Sequence, residues 1–227
     1  MSDYFNIEYH EFPYPHAICD SAIEQNTANS LYDFANKIAE EDISFVRKGE
    51  QQDNMQMWNN KKGIDTIHPE YHNEVYRAFE RTSKLFKEYD SQNRKWSISL
   101  TETNREYGNF LTPHTDDPVL LKERDPEMEH ATIKGLLYLA EDRTKYDHYG
   151  TKLYMNDDRS SFVKEVEFVQ CRLFLWATGE NSYHGTDFIK GLPHRRIFYT
   201  GEYLIENATS ENPVYQVDDG YTGTENG

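Results

Sequence analysis

The stretch Tyr107–Asp117, YGNFLTPHTDD, decides how the rest of the chain is read. It reads as a short strand, Asn109 to Thr112, running into His114-Thr115-Asp116. In an extended chain positions i and i+2 point to one side, so His114 and Asp116 set an imidazole beside a carboxylate. Such a pair can share a cation, but any polar turn can spell His-x-Asp, and a third ligand has to come from elsewhere. The segment Asn181-Ser182-Tyr183-His184-Gly185-Thr186 follows the apolar run CRLFLWA (171–177) and offers His184. Two histidines and one carboxylate on one side of an octahedron are the donor set of non-haem Fe(II) sites with open positions.

Working outward, the chain changes texture near Ser91. Before it, two segments carry helical spacing. One runs from Ser21 to about Ile43, with Leu31, Phe34, Ala35 and Ile38 on one stripe and Asp20 or Ser21 as N-cap. The other runs from Pro69 to about Tyr89, with Val75, Phe79, Ser83 and Phe86 in phase. Between them, 47–65 is polar and reads as a loop whose apolar exceptions are Met55, Met57 and Trp58. After Ser91, Trp96-Ser97-Ile98-Ser99-Leu100 alternates as a half-buried strand does. Further strands are expected at Thr132–Leu139, Lys152–Tyr154, Lys164–Phe168, Cys171–Trp176 and Arg195–Leu204. Helices followed by many short strands predict a mainly β fold, a double-stranded β-helix (jelly-roll) core supported by N-terminal helices. The expected organisation is one domain over 1–205, with 1–95 a mostly helical support and 96–205 the jelly roll. The polar stretch 206–227 reads as a loose tail.

Composition bounds the function. With 24 Lys and Arg against 40 Asp and Glu, the net charge is −16. A binder of nucleic acid or an anionic membrane surface needs a basic footprint, so neither is expected as a partner. Aromatic residues make up 14% of the chain, enough large side chains to argue against disorder of its body. Cys19 and Cys171 sit in apolar surroundings and read as small buried hydrophobes. No secretory or membrane-spanning signal is legible, so a cytoplasmic location is the expectation, and the Asn207-Ala208-Thr209 sequon is a chance match. Of the nine histidines, His10, His16, His68, His72, His130, His148 and His194 lie in loops or on polar faces and read as solvated or hydrogen-bonded.

From Tyr107 to about Tyr203 the chain resembles the 2-oxoglutarate/Fe(II)-dependent dioxygenases, most closely their prolyl-4-hydroxylase-like branch. The motifs that carry the resemblance occur in the family's order: YGNFLTPHTDD (107–117), LLYLAED (136–142), YGTKLYM (149–155), CRLFLWA (171–177), YHG (183–185) and RRIFYTGEY (195–203). The resemblance implies Fe(II) held by His114, Asp116 and His184, with 2-oxoglutarate as cosubstrate and O2 as oxidant. It implies an arginine for the far carboxylate of 2-oxoglutarate, a geometry suited to a bidentate guanidinium. Arg195 and Arg196 compete for that role and face opposite sides of their strand; Arg196-Ile-Phe-Tyr-Thr-Gly matches the family's register, with Phe198 where a Ser is common. Tyr138 matches the family position whose phenol reaches the same carboxylate, and Tyr107 matches another tyrosine on the cosubstrate side. Each tyrosine also reads as a core aromatic. The presence of Asp116 sets the chain apart from the superfamily's halogenases, which carry a small residue there. The implied reaction is hydroxylation of a substrate C–H bond, coupled to conversion of 2-oxoglutarate to succinate and carbon dioxide.

Substrate identity is not legible. Peptidyl proline, a free amino acid and another small metabolite remain open, because fold-level analogy does not fix the substrate. Two segments are candidate lids, 117–129 and the Met55–Trp58 stretch. Readings of other classes are a jelly-roll module that binds a metal or ligand without turnover, and a zinc hydrolase using the same three ligands. Neither needs an arginine at the register of Arg196.

Overall fold

The computed structural model describes residues 6–40, 45–46, 55–58, 67–103, 112–116, 131–141, 145–187 and 196–205. In chain order the elements are β1 (Asn6–His10), β2 (His16–Asp20), α1 (Gln25–Glu40), β3 (Phe45–Val46), β4 (Met55–Trp58), α2 (His72–Ser83), β5 (Arg94–Thr103) and β6 (Ile133–Leu139). They continue with β7 (Lys145–Tyr154), β8 (Phe162–Val169), β9 (Leu173–Ala177), β10 (His184–Gly185) and β11 (Arg196–Ile205). An eight-stranded sheet runs β1-β2-β9-β6-β11-β5-β4-β3, and a three-stranded sheet runs β10-β7-β8. Every pairing is antiparallel, and most neighbours are distant in sequence. The expected jelly roll is therefore present.

Side chains leave the large sheet with period two, and this alternation separates two cores. On the outer face, Ile133, Leu137 and Leu139 of β6, Ile197, Tyr199 and Tyr203 of β11, and Trp96 and Ile98 of β5 pack with α1 and α2. The inner face carries Leu136, Tyr138, Phe174, Trp176 and Phe198 against Tyr149, Leu153, Val166 and Phe168 of the small sheet. The helix α2 buries Val75, Phe79, Thr82 and Ser83 at three- and four-residue spacing, so one stripe faces the sheet. Full burial of a Val or Phe side chain contributes about 1.5–3 kcal/mol each. The ring of Phe79 lies where Gly135 and Gly201, cross-strand partners, present no side chain. A Cβ at Gly201 would overlap Phe79 and come within 2.9 Å of Trp96 Cε3. Glycine is required there by close approach.

The N-terminal part departs from the sequence reading. Residues 6–20 form β1 and β2, which extend the large sheet beyond β9. The 1–95 segment is thus more than a helical support: it lengthens the sheet at both edges. The helix expected from Ser21 begins at Gln25, because Asp20 ends β2 and its carboxylate is gripped by both Nε and Nη2 of Arg172, at 2.6 and 3.1 Å. Ser21 takes a left-handed backbone (φ 56°), which turns the chain out of the strand and is incompatible with a cap. The second helix ends at Ser83, and Pro69–Tyr71 form a separate 3-10 turn before it. Met55–Trp58, expected in a loop and as a lid, pairs with β5 from Met55↔Thr103 to Trp58↔Leu100 and is part of the sheet. Both cysteines are free and buried, as expected. The 117–129 candidate lid, Tyr107, Arg195 and the 206–227 tail lie outside the described residues.

Candidate metal centre

Hydrogen bonds between backbones bring the two motifs together. The His114 N–H donates to the His184 carbonyl at 3.0 Å, and the His184 N–H donates to the His114 carbonyl at 2.9 Å. His184 is itself held to the small sheet opposite Leu153. The predicted i, i+2 arrangement of His114 and Asp116 is realised, and one ligand atom each from His114, Asp116 and His184 lie within 4.8 Å of one another. Among the described residues this is the group of three placed to hold a metal ion.

The second ring nitrogens settle how the imidazoles present themselves. His114 Nδ1 donates to the Thr112 carbonyl at 2.8 Å, and His184 Nδ1 donates to the Ser182 carbonyl at 2.9 Å. Each proton is thereby placed on Nδ1, and each Nε2 lone pair is left for a cation. Burial lowers the pKa of His114 to about 4, assisted by His184, so its ring is neutral. Burial works against ionisation of Asp116, but the Lys134 ammonium beside it holds its carboxyl well below the usual range. The centre is one anion and two oriented imidazoles. Aromatic surfaces enclose it: the His114 and His184 rings are 4.5 Å apart, and the Trp176 ring is 4.8 Å from His184.

Arg196, at the start of β11, is on the inner face and 1% exposed. Its Nε donates to the Tyr149 carbonyl at 2.6 Å, and its guanidinium stacks 4.5 Å from Phe198 and 5.6 Å from Phe168. No ion pair to Arg196 occurs among the described residues, and its Nη2 has no hydrogen-bond partner there. Burial lowers its pKa to about 10, which leaves it cationic at neutral pH. A buried guanidinium with an open edge is costly unless an anion meets it. Tyr138, also buried on the inner face, shares its hydroxyl with Thr151 Oγ1 at 2.7 Å; burial raises its pKa, with the charge of Arg196 opposing.

Four groups near the centre were not singled out by the sequence reading. Lys134 Nζ lies 3.3 Å from Asp116 Oδ1 and 3.1 Å from Glu202 Oε1. Tyr14, just before β2, and His16, its first residue, are buried, and burial lowers the pKa of His16 to about 4. His16 was expected on a polar face. It is instead fully buried, because the alternation of β2 sends Ala17 and Cys19 to the outer core and His16 to the inner face. His72 is likewise buried, with Nε2 donating to the Ile67 carbonyl at 2.6 Å. The signal for Lys134 and Glu202 was present: each is in phase with the inner-facing Tyr138 or Arg196 of its own strand.

By sequence the chain matches no protein-family model and no curated protein. Solved structures do match it. A prolyl-4-hydroxylase of Pseudomonas putida is 16% identical with a TM-score of 0.58, over 83% of this chain and 91% of that one. The non-haem α-ketoglutarate-dependent epimerase SnoN from nogalamycin biosynthesis is 9% identical with a TM-score of 0.57, over 85% and 78%. A prolyl hydroxylase from Trichoplax adhaerens, in complex with a hypoxia-inducible-factor peptide fragment, is 13% identical with a TM-score of 0.58, over 83% of each chain. Inner-face alternation, the strand order and these likenesses agree: the chain has the fold of the 2-oxoglutarate/Fe(II) oxygenases.

Proposed function

We propose that the protein is an Fe(II)- and 2-oxoglutarate-dependent dioxygenase that hydroxylates a C–H bond of an amino acid, a peptidyl proline or another small metabolite. The observation that carries the reading is the coexistence, on the inner face of one jelly roll, of an oriented His-Asp-His set and a buried guanidinium with an unpaired nitrogen. A module that only binds a metal has no use for the second feature, and neither has a zinc hydrolase.

The residues present fit both groups. His114 Nε2, His184 Nε2 and the Asp116 carboxylate would hold Fe(II), a hard-to-borderline cation suited to imidazole and carboxylate. Arg196 would pair with the far carboxylate of 2-oxoglutarate, with Tyr138 beside it as a hydroxyl donor. The resemblance keeps Arg195 as the competing anchor and would add Tyr107 as a cosubstrate-side residue. When bound, iron and cosubstrate supply the oxidation, with succinate and carbon dioxide as products. The chain's own part is to fix ligand directions through the Thr112 and Ser182 carbonyls, to neutralise the cosubstrate's charge, and to exclude water with Trp176, Phe174, Phe198 and Phe168. The location we propose is cytoplasmic; among the described residues no helix is long and apolar enough to cross a membrane.

The test is formation of succinate from 2-oxoglutarate by the Fe(II)-loaded protein in air. Arg196→Ala is expected to raise the 2-oxoglutarate requirement far more than Arg195→Ala. The reverse order would assign the anchor to Arg195, and no succinate under any condition would remove the reading.

A further inference from the structure

One row of side chains crosses five neighbouring strands at the level of the metal centre. The register pairs His16 with Trp176, Trp176 with Lys134, Lys134 with Glu202, and Glu202 with Ser97. All five alternate with residues of the outer core, so all five face the barrel interior. Lys134 touches Asp116, and the Trp176 ring lies against His184. Glu202 and Arg196 are six residues apart on β11, about 20 Å along a strand. The row therefore adjoins the metal centre and is remote along the strand from Arg196, which the cosubstrate would meet.

This row is polar and incompletely paired. Among the described residues, Trp176 Nε1, Ser97 Oγ, His16 Nε2 and the Tyr14 hydroxyl are buried without a hydrogen-bond partner. His16 Nδ1 donates to the Tyr14 carbonyl at 2.8 Å, so its Nε2 is an acceptor. Trp176 can only donate, and the two hydroxyls can do either. The Lys134 ammonium spends two of its three hydrogens on Asp116 and Glu202 and retains one. A cation with a spare donor and an anion with spare lone pairs thus stand side by side, flanked by unmet donors and one unmet acceptor.

We propose that this row is the substrate wall and that the substrate is a small zwitterion, a free α-amino acid. Its carboxylate meets the third N–H of Lys134 beside Trp176, and its ammonium meets Glu202 on the adjoining strand. A peptide residue offers neutral amides at both positions and forgoes the two charge-assisted contacts that a zwitterion makes with the Lys134–Glu202 pair. The inference rests on the dioxygenase reading and adds to it the class of substrate.

The experiment uses the full chain loaded with Zn(II) and 2-oxoglutarate, and ligand-observed NMR to measure binding of the twenty protein α-amino acids. Each that binds is compared with its C-terminal amide and its N-acetyl derivative. At least one amino acid should bind, and each capped form should bind about tenfold more weakly or worse. In Lys134→Met the amino acid and its amide should bind alike, whereas Lys134→Arg should keep the preference for the free carboxylate. In Glu202→Gln the N-acetyl form should be rejected no longer. Binding by no amino acid, equal binding of capped forms to the unaltered protein, or a carboxylate preference that survives Lys134→Met would overturn the proposal. The cap comparison is made on the unaltered protein, so it stands even where a variant fails to fold. If 2-oxoglutarate still binds the metal-loaded protein while every amino acid fails, the substrate class falls and the dioxygenase reading survives. If 2-oxoglutarate does not bind at all, both fall.

Discussion

Replacing Arg196 by methionine separates stability from function in a way that few core substitutions do. The guanidinium is 1% exposed, and burial has lowered its pKa from that of a free guanidinium to about 10. At roughly 1.4 kcal/mol per unit, the charge costs the apo protein about 3 kcal/mol. Removing the side chain also removes its hydrogen bond to the Tyr149 carbonyl and its stacking on Phe198. Those losses amount to about 1–3 kcal/mol for the carbonyl's lost donor and about 1 kcal/mol for the ring. Methionine keeps an apolar chain of similar length between Phe168 and Phe198. The opposing effects nearly cancel, and Arg196→Met is expected within about 1 kcal/mol of the unaltered apo protein. With metal and 2-oxoglutarate present the two should diverge, the unaltered protein gaining about 2.7 kcal/mol at a hundredfold excess over Kd and the variant nothing. Urea unfolding with and without 2-oxoglutarate measures both. A loss above about 3 kcal/mol in the apo state would show that Arg196 is already paired inside the protein, and the reasoning would fail. An equal gain from 2-oxoglutarate in both proteins would refute the anchor.

Other consequences concern the fold and its pH dependence. Gly201→Ala sets a methyl against Phe79 and Trp96; a loss of about 1–3 kcal/mol is expected by urea unfolding, and Phe79→Leu should recover part of it. The pKa of His16 is about 4, below the 6.5 of an exposed histidine, so between those values the unfolded chain binds the extra proton. Apo stability should therefore be full above pH 6.5 and fall as the pH drops toward 4, by about 1–3 kcal/mol from this group. His16→Gln should flatten that part of the profile; an unchanged slope would mean that His16 is solvated. Asp20→Ala loses a two-pronged grip on Arg172 with an exposed carboxylate, and a cost under about 1 kcal/mol is expected in the same assay.

What could be read from the sequence and what could not divides along physical lines. That His114, Asp116 and His184 come together was legible because strand geometry fixes the i, i+2 pair and the order of the motifs supplied the distal histidine; their ligand atoms lie within 4.8 Å of one another. Arg196 was preferred to Arg195 by register, and it is buried on the inner face; the anchor role is what the Arg196→Met experiment tests. The N-terminal strands were missed because β2 carries an inner face of His16 and Ile18 and an outer face of Ala17 and Cys19. Apolar side chains on both faces erase the alternation that identifies a strand. Met55–Trp58 was missed because four residues with one polar member carry too short a period to separate strand from loop. The charged row at the metal centre was hidden differently. Lys134 and Glu202 lie 68 residues apart and meet only through the pairing of β6 with β11, which composition cannot supply.

The most direct test of the central claim is anaerobic addition of Fe(II) and 2-oxoglutarate, monitored for the weak visible charge-transfer band of the chelate. The intact protein should develop the band, and His184→Ala, which removes one ligand and leaves the Asp116–Lys134 pair in place, should lose it. A protein that shows no band, or a band that His184→Ala leaves unchanged, would contradict the account.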